Sequence, residues 1–337
     1  MKIKKIIIMI MLLFCVSGCS KQLTDADNKI VKNDSTGQTL TKNILCQPEE
    51  KDVIKKYNET LENAKLKYQE QLDNKEITQK QYDKKIDSLV DISELPKCSE
   101  FSVLDSGYEG VWTTLFVKPL AWVILKIGGL VKNYGLAVIL VTLIIRMCLY
   151  PVTKKTALQS ERMKDVKPEL EKLEKKYQNK TDQQSMMMKS QETMMLYKKY
   201  GINPISGCVF AIIQIPLFFA FYEALNRLPA IFEGEFLGFS LGTTAGTALA
   251  SGKYQYLILV VLIILVTYFS MKLNKTASMD SEQEKTMNMM SNMMIIMISI
   301  ASFSISTSIT LYWIANSTFT IIQNLLVKRR KKDVRVI

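Results

Sequence analysis

Arg146 is the residue whose position in the sequence most demands a chemical reason. It interrupts the apolar run Tyr134–Tyr150 about eight residues before Lys154, which places it ~12 Å inside an apolar layer by helical rise. Holding a guanidinium there costs roughly 2.5–3.5 kcal/mol even on the mild insertion scale, so a functional role is the default reading. A guanidinium is a fixed fork of donors that stays charged, suited to holding an anion or polar acceptors rather than to making a bond. Snorkelling to the interface and a salt bridge are the competing readings. The nearest carboxylate in an apolar segment, Glu223, lies about 20 residues past Asn203, hence ~30 Å from the same side and ~18 Å from Arg146 in depth. Glu223 is therefore not expected to be the counter-ion. A water-filled groove lined by neutral acceptors would keep the charge solvated, and Gln214, at ~16 Å depth, is the best placed of them.

Other reactive chemistry is scarce. The chain contains no histidine, which removes zinc hydrolases of the H-E-x-x-H kind and Ser/His or Cys/His nucleophiles. It has no G-x-x-x-x-G-K phosphate loop, so nucleotide-driven transport has no engine. No enzymatic activity, cofactor or metal is expected. The cysteines offer two modifications. Val16-Ser17-Gly18-Cys19 follows a short basic and apolar leader and has the form of a lipobox, so residues 1–18 read as a signal peptide and Cys19 as a lipid attachment site. An uncleaved apolar anchor is the alternative. Cys46 and Cys98 flank a helical region and could be bridged outside the membrane, or remain free thiols.

The elements that must position Arg146 follow from charge segregation. Residues 20–110 carry 14 basic and 18 acidic side chains, whereas 153–200 carry 12 basic and 7 acidic and the tail after Val327 carries 6 basic and 1 acidic. Basic excess next to apolar runs is a topology signal rather than a nucleic-acid surface. Spans are expected at Tyr134–Tyr150, about Pro204–Leu225 and Tyr254–Met271, with two more in Met287–Val327, which turns near Ser304–Thr310. The fold class is all-α, a polytopic membrane protein of five spans. The amino terminus is lipid-anchored outside a bacterial plasma membrane, and 153–200, 272–286 and 328–337 are cytoplasmic.

Outside the membrane, 20–45 reads as a flexible tether. Val53, Tyr57, Leu61, Ala64 and Tyr68 mark one stripe of a helix. A break at Asp73-Asn74-Lys75 and a capping box at Thr78 and Gln81 then begin the return helix of an extracellular hairpin. The segment 111–131 is expected to lie in the interface, with tryptophans at headgroup level and Lys118 and Lys126 reaching water. In 153–200, Met163, Val166, Leu170, Leu173 and Tyr177 form a stripe matched by Met186–Met188 and Met194–Leu196, predicting a cytoplasmic hairpin whose helices pack together. A client-touching methionine surface is the rival reading.

Three stretches together resemble the YidC/Oxa/Alb insertase family, in its Gram-positive lipoprotein branch: Ile139–Pro151 followed by Lys167-Pro168-Glu169-Leu170 and Lys175-Lys176-Tyr177; Tyr197–Tyr222; and Leu311–Gln323. The resemblance covers about residues 111–330, so that 134–330 would be the insertase core. It implies that Arg146 is the groove arginine, that Gln214 lines the groove, and that Tyr312 and Trp313 contribute from the last span. An interface anchor is the other reading of Trp313. The third span lacks the glutamine usual in the family, which leaves Thr267 and Ser270 as its polar candidates. The implied work is insertion and folding of nascent membrane proteins without covalent catalysis. Ribosome, Sec translocase and lipids are its implied partners, and it has no small-molecule substrate. An anion channel or secondary transporter using Arg146 is the competing class.

Overall fold

The computed structural model describes residues 21–25, 27–104, 107–180, 182–203, 206–274 and 281–335. The expected signal peptide and Cys19 lie outside the described residues, as do residues 275–280 of the loop 272–286. The structure is mostly helical and divides into two compact units.

The first unit comprises the residues up to Val141 together with Pro216–Leu259 and Phe303–Tyr312. Residues 21–45 are not the expected tether. They form a small meander in which Gln22 pairs with Thr41, Thr24 with Ile30 and Lys32 with Thr39. The segment has few apolar side chains, but Leu23, Leu40 and Ile44 are all buried against Val53, Tyr57, Ile92 and Phe232. The Tyr57 hydroxyl donates to the Thr41 carbonyl at 2.6 Å. Average composition misjudged the segment because spacing, not number, lets three leucine-sized side chains reach one core.

Helices α1 (Lys51–Asp73) and α2 (Gln79–Asp87) form the expected helical hairpin. The turn between them ends in a reciprocal capping box: Thr78 accepts from the Gln81 backbone and Gln81 from the Thr78 backbone. α2 buries no residue completely, so the hairpin depends on its base. There Cys46 and Cys98 form a disulfide with Cα atoms 4.9 Å apart, and the Gln47 backbone N–H donates to the Pro96 carbonyl at 2.9 Å. A bridge closing 52 residues stabilises by about 4 kcal/mol on chain entropy alone. Replacing Cys46 by Ser is expected to abolish the mobility difference between reduced and unreduced protein on a gel and to make 48–98 the first region cut by protease. Unchanged protease resistance would count against this role for the bridge.

The same unit contains a buried charge network. The residues preceding α3 (Lys118–Val131) wind as a π-helical turn, Thr113–Val117. Lys118 is fully buried, donating to the Gly107 carbonyl at 2.6 Å and pairing with Glu109 at 3.2 Å. Trp112 is buried too, with its indole N–H donating to Glu223 at 3.1 Å. Neither side chain holds the position expected of an interfacial helix, because a carboxylate within reach offers each donor more than water at the surface would. Trp122 and Lys126 stay exposed. By length and composition alone Thr113–Val131 could cross a membrane, as could helices Tyr134–Tyr177 (α4) and Tyr256–Leu273.

Beyond helix Ser206–Arg227 (α6), the short helix Pro229–Phe232 leads to Glu233, whose carboxylate accepts from the backbone N–H groups of Glu49 and Glu50 at 3.0 and 3.2 Å. Burial, aided by the Glu49 and Glu50 carboxylates, raises its pKa to about 7. The folded value lies above the ordinary 4.5, so the buried carboxyl contributes its full stability below that pH, where it is protonated, and loses it as pH rises towards 7 and burial opposes its charge. The thermal stability of the first unit is expected to fall between pH 4.5 and 7. Glu233→Gln should flatten that slope, and an equal slope in the variant would refute the assignment.

The second unit comprises Thr142–Ile215, Val260–Ser302 and the chain from Trp313. A hairpin here pairs the end of α4 with α5 (Gln183–Lys199), which Asp182 caps by accepting from the Ser185 N–H at 2.8 Å. Met163, Val166 and Leu170 pack on Tyr197 and Ile202, and Lys176 pairs with Glu192 at 2.7 Å. Met186–Met188, Met194 and Met195 are exposed instead of packed between the helices. The remaining helices are Tyr256–Asn274 (α9, following the short helix Ala245–Ala250, α8), Ser281–Ala301 (α10) and Thr307–Arg335 (α11). The turn joining the last two falls at 302–306, slightly before the expected place.

Candidate functional site

Within the second unit the buried polar side chains fall on helix faces. On α4, Thr142, Arg146 and Thr153 are all buried, spaced so that they share one side of the helix. On α11, Asn316, Thr320 and Gln323 recur at the same kind of interval. Such a stripe inside an apolar helix is tolerated only if its members find partners.

They do. The Arg146 Nε donates to Asn316 Oδ1 and one of its terminal nitrogens to Gln214 Oε1, both at 2.5 Å. Farther along the same two helices, the Thr153 hydroxyl donates to Gln323 Oε1 at 3.1 Å. The contact pairs 146–316 and 153–323 advance together, so α4 and α11 run in the same direction here. Trp313 ties α11 to α9 by donating its indole N–H to Thr267 Oγ1 at 3.0 Å. The two amide oxygens on Arg146 are strong acceptors but neutral, so they solvate the guanidinium without cancelling its charge.

Arg146 and Gln214 are thus brought together as the sequence suggests. Arg146 is only 2% exposed, so in this structure amides enclose it where solvent was expected. Thr267 and half-buried Trp313 form a second pair. Ser270, one turn past Thr267, is half-buried and makes no side-chain hydrogen bond among the described residues. Tyr312 does not join the polar face: it is fully buried in the first unit, its ring stacked on Phe221 at 4.3 Å. Successive residues of a helix point about 100° apart, so Tyr312 and Trp313 cannot share one side.

Glu223 accepts from Arg227 at 3.1 Å and from Trp112 and Thr113, in keeping with its exclusion as the partner expected for Arg146. Sequence reasoning missed Asn316 and Gln323. Their signal was present in Leu311–Gln323, where Asn316, Thr320 and Gln323 fall at helical spacing on one face. Among the described residues no cluster of three His, Cys, Asp or Glu is placed to hold a metal ion.

The sequence profile of the family described as 60Kd inner membrane protein matches residues 126–334. The membrane protein insertase YidC of Oceanobacillus iheyensis is 34% identical over 241 residues, 70% of this chain and 91% of that protein. The membrane protein insertase MisCA of Bacillus subtilis is 36% identical over 218 residues, 64% of this chain and 79% of that one. A crystal structure of an active YidC insertase with its first transmembrane domain resolved aligns with a TM-score of 0.46 at 24% identity, over 78% of this chain and 53% of that chain.

Proposed function

This chain belongs to the 60Kd inner membrane protein family, whose relatives are named YidC insertases, and we propose that it inserts nascent membrane proteins through the polar face around Arg146. A multi-pass membrane protein is what the family and the apolar helices make it. The observation that carries the mechanism is the coordination of Arg146 by Asn316 and Gln214. Neutral amides can be exchanged for other acceptors at small net cost, since one hydrogen bond replaces another. An arriving client's polar or acidic segment takes the place of an amide on Arg146, while its apolar helix leaves between spans into lipid. No bond is made or broken.

The five-span topology draws support from the parallel run of α4 and α11, because a first and a fifth span must cross in the same sense. Lipid attachment at Cys19, an external amino terminus and a cytoplasmic tail belong to the same reading. Lys328–Lys332 then meets anionic lipid or ribosomal RNA, and Sec translocase is a further partner. The exposed methionines of α5 offer clients or ribosome an adaptable apolar surface.

Site-specific photo-crosslinkers at Gln214 and Asn316 test the proposal. Both should capture the polar segment of a stalled client, in excess over a probe at the exposed Leu262. Equal capture from all three positions would remove the polar face from the path.

A further inference from the structure

The first unit contains a small antiparallel hairpin, β1 (Glu235–Phe236) and β2 (Phe239–Ser240), which turns through Leu237 and Gly238. Both turn residues take left-handed backbone, with φ of 51° and 78°. Such a turn matches the twist of the paired strands, and asparagine, aspartate or glycine normally fills its first position. A leucine there is held against the clash of its Cβ with the following carbonyl oxygen. Its side chain is also 81% exposed. For a tip standing in water Leu237 is thus unfavourable twice, in its backbone and in its hydration.

The direction of the tip follows from what grips the strands. Just before α4, Asn133 Nδ2 donates to the Glu235 carbonyl at 3.2 Å. In the first turn of α4, Gly135 lies so close to Phe236 that a Cβ added to it would stand 2.4 Å from the Phe236 Cβ. Later residues of β1 therefore meet later residues of α4. The strand heads the way α4 does, into the apolar layer that this helix is long enough to cross. On the other strand, the Ser240 N–H donates to the Tyr256 hydroxyl at 2.8 Å, and the Phe239 ring meets the Tyr256 ring edge-on at 5.1 Å. Tyr256 opens α9, a second helix long and apolar enough to cross a membrane. The hairpin is gripped between the first turns of both. Leu136, Leu257 and Ile258 are exposed on those turns, whereas the exposed charges of Lys132 and Glu235 stand at the base of the hairpin. Leu237 continues the apolar belt and points away from the charges.

We propose that Leu237 is a membrane wedge, whose side chain enters the acyl chains of the leaflet at which α4 and α9 begin. Burial among acyl chains removes the hydration cost of the exposed leucine. The grip of α4 and α9 on the strands holds the left-handed turn in place. Through Asn133 and Gly135 the wedge fixes the depth of the first turn of α4. This inference rests on α4 and α9 crossing a membrane and not on what Arg146 does, so it can fail while the insertion mechanism stands.

The test uses the full chain in phosphatidylcholine vesicles, with Cys148 and Cys208 replaced by serine and a nitroxide attached to Leu237→Cys. The chain without the Leu237 substitution sets the background. Collisions of the nitroxide with oxygen, which concentrates among acyl chains, are compared with collisions with a polar nickel chelate, which stays in water. The oxygen-to-chelate ratio should match that of Ile258→Cys, on the exposed face of α9, and exceed that of Leu66→Cys, exposed on α1, by about fivefold. A second readout uses the unsubstituted chain. Phosphatidylcholine with a diazirine on its acyl chain should, on illumination, tag the peptide containing Leu237 roughly fivefold more than the peptide containing Leu66, as read by mass spectrometry. A ratio at Leu237 equal to that at Leu66, a nitroxide shielded from both reagents as by a second copy of the chain, or equal tagging of the two peptides would each overturn the proposal.

Discussion

Arg146→Ala is expected to lower the insertion of a small client into vesicles by ten- to a hundredfold without lowering the amount of protein in the membrane. The size follows from what is lost. A carboxylate about 6 Å from a guanidinium in surroundings of intermediate polarity gains roughly 1–3 kcal/mol, and each 1.4 kcal/mol is about a factor of ten. The alanine chain is relieved of a charge in an apolar layer, so folding and membrane residence need not suffer, although Asn316 and Gln214 lose their donor. Arg146→Lys keeps the charge but not the fork that meets two amides together, and should fall between parent and alanine. Arg146→Gln, which can still bond both amides but has no charge, should resemble alanine. Unchanged insertion in the alanine and glutamine variants would sink the mechanism. If anion flux disappeared with insertion intact, a transporter would be the better description.

The second large effect concerns the C-terminal end of α6. The side chain of Arg227 is 1% exposed and bonds Glu223 at 3.1 Å, Glu109 at 2.6 Å and the Asn43 carbonyl at 2.5 Å. Its own carbonyl accepts from the Leu45 N–H at 2.9 Å. One guanidinium thus joins the meander, the segment before α3 and α6. Removing one member of a buried pair typically costs roughly 3–5 kcal/mol, because the other charge is left without compensation. Arg227→Ala should therefore lower the melting temperature in detergent by on the order of 10 °C, with the meander the first part opened to protease. Glu223→Leu/Arg227→Met removes both charges and should be less harmful than the single change. A double variant as unstable as the single one, or a single variant that melts like the parent, would show that the network does not hold these segments together.

The sequence alone determined which segments are apolar, where charge accumulates and that Arg146 stands out of place among its neighbours. These are local properties, because hydropathy and charge belong to a residue whatever packs on it. Helical rise was also enough to separate Glu223 from Arg146, since depth along a helix needs only counting. The capping box at Thr78 and Gln81 was legible for the same reason: both halves of the contact lie within one turn.

Contacts distant along the chain were decided only by tertiary structure. Asn316 stands 170 residues from Arg146, and nothing local distinguishes it from a tolerated polar residue in a span. Lys118 and Trp112 were placed at the surface because each alone prefers an interface. The neighbouring Glu109 and Glu223 carboxylates, which no periodicity reveals, draw them inward. Residues 21–45 read as a tether by composition, yet backbone pairing and the reach of Leu23, Leu40 and Ile44 to Tyr57 made them a wall. A side chain's partner is a property of the fold, whereas its need for one is already written in its chemistry. Arg146 announced that need in the sequence, and only the assembled helices supplied the amides that meet it.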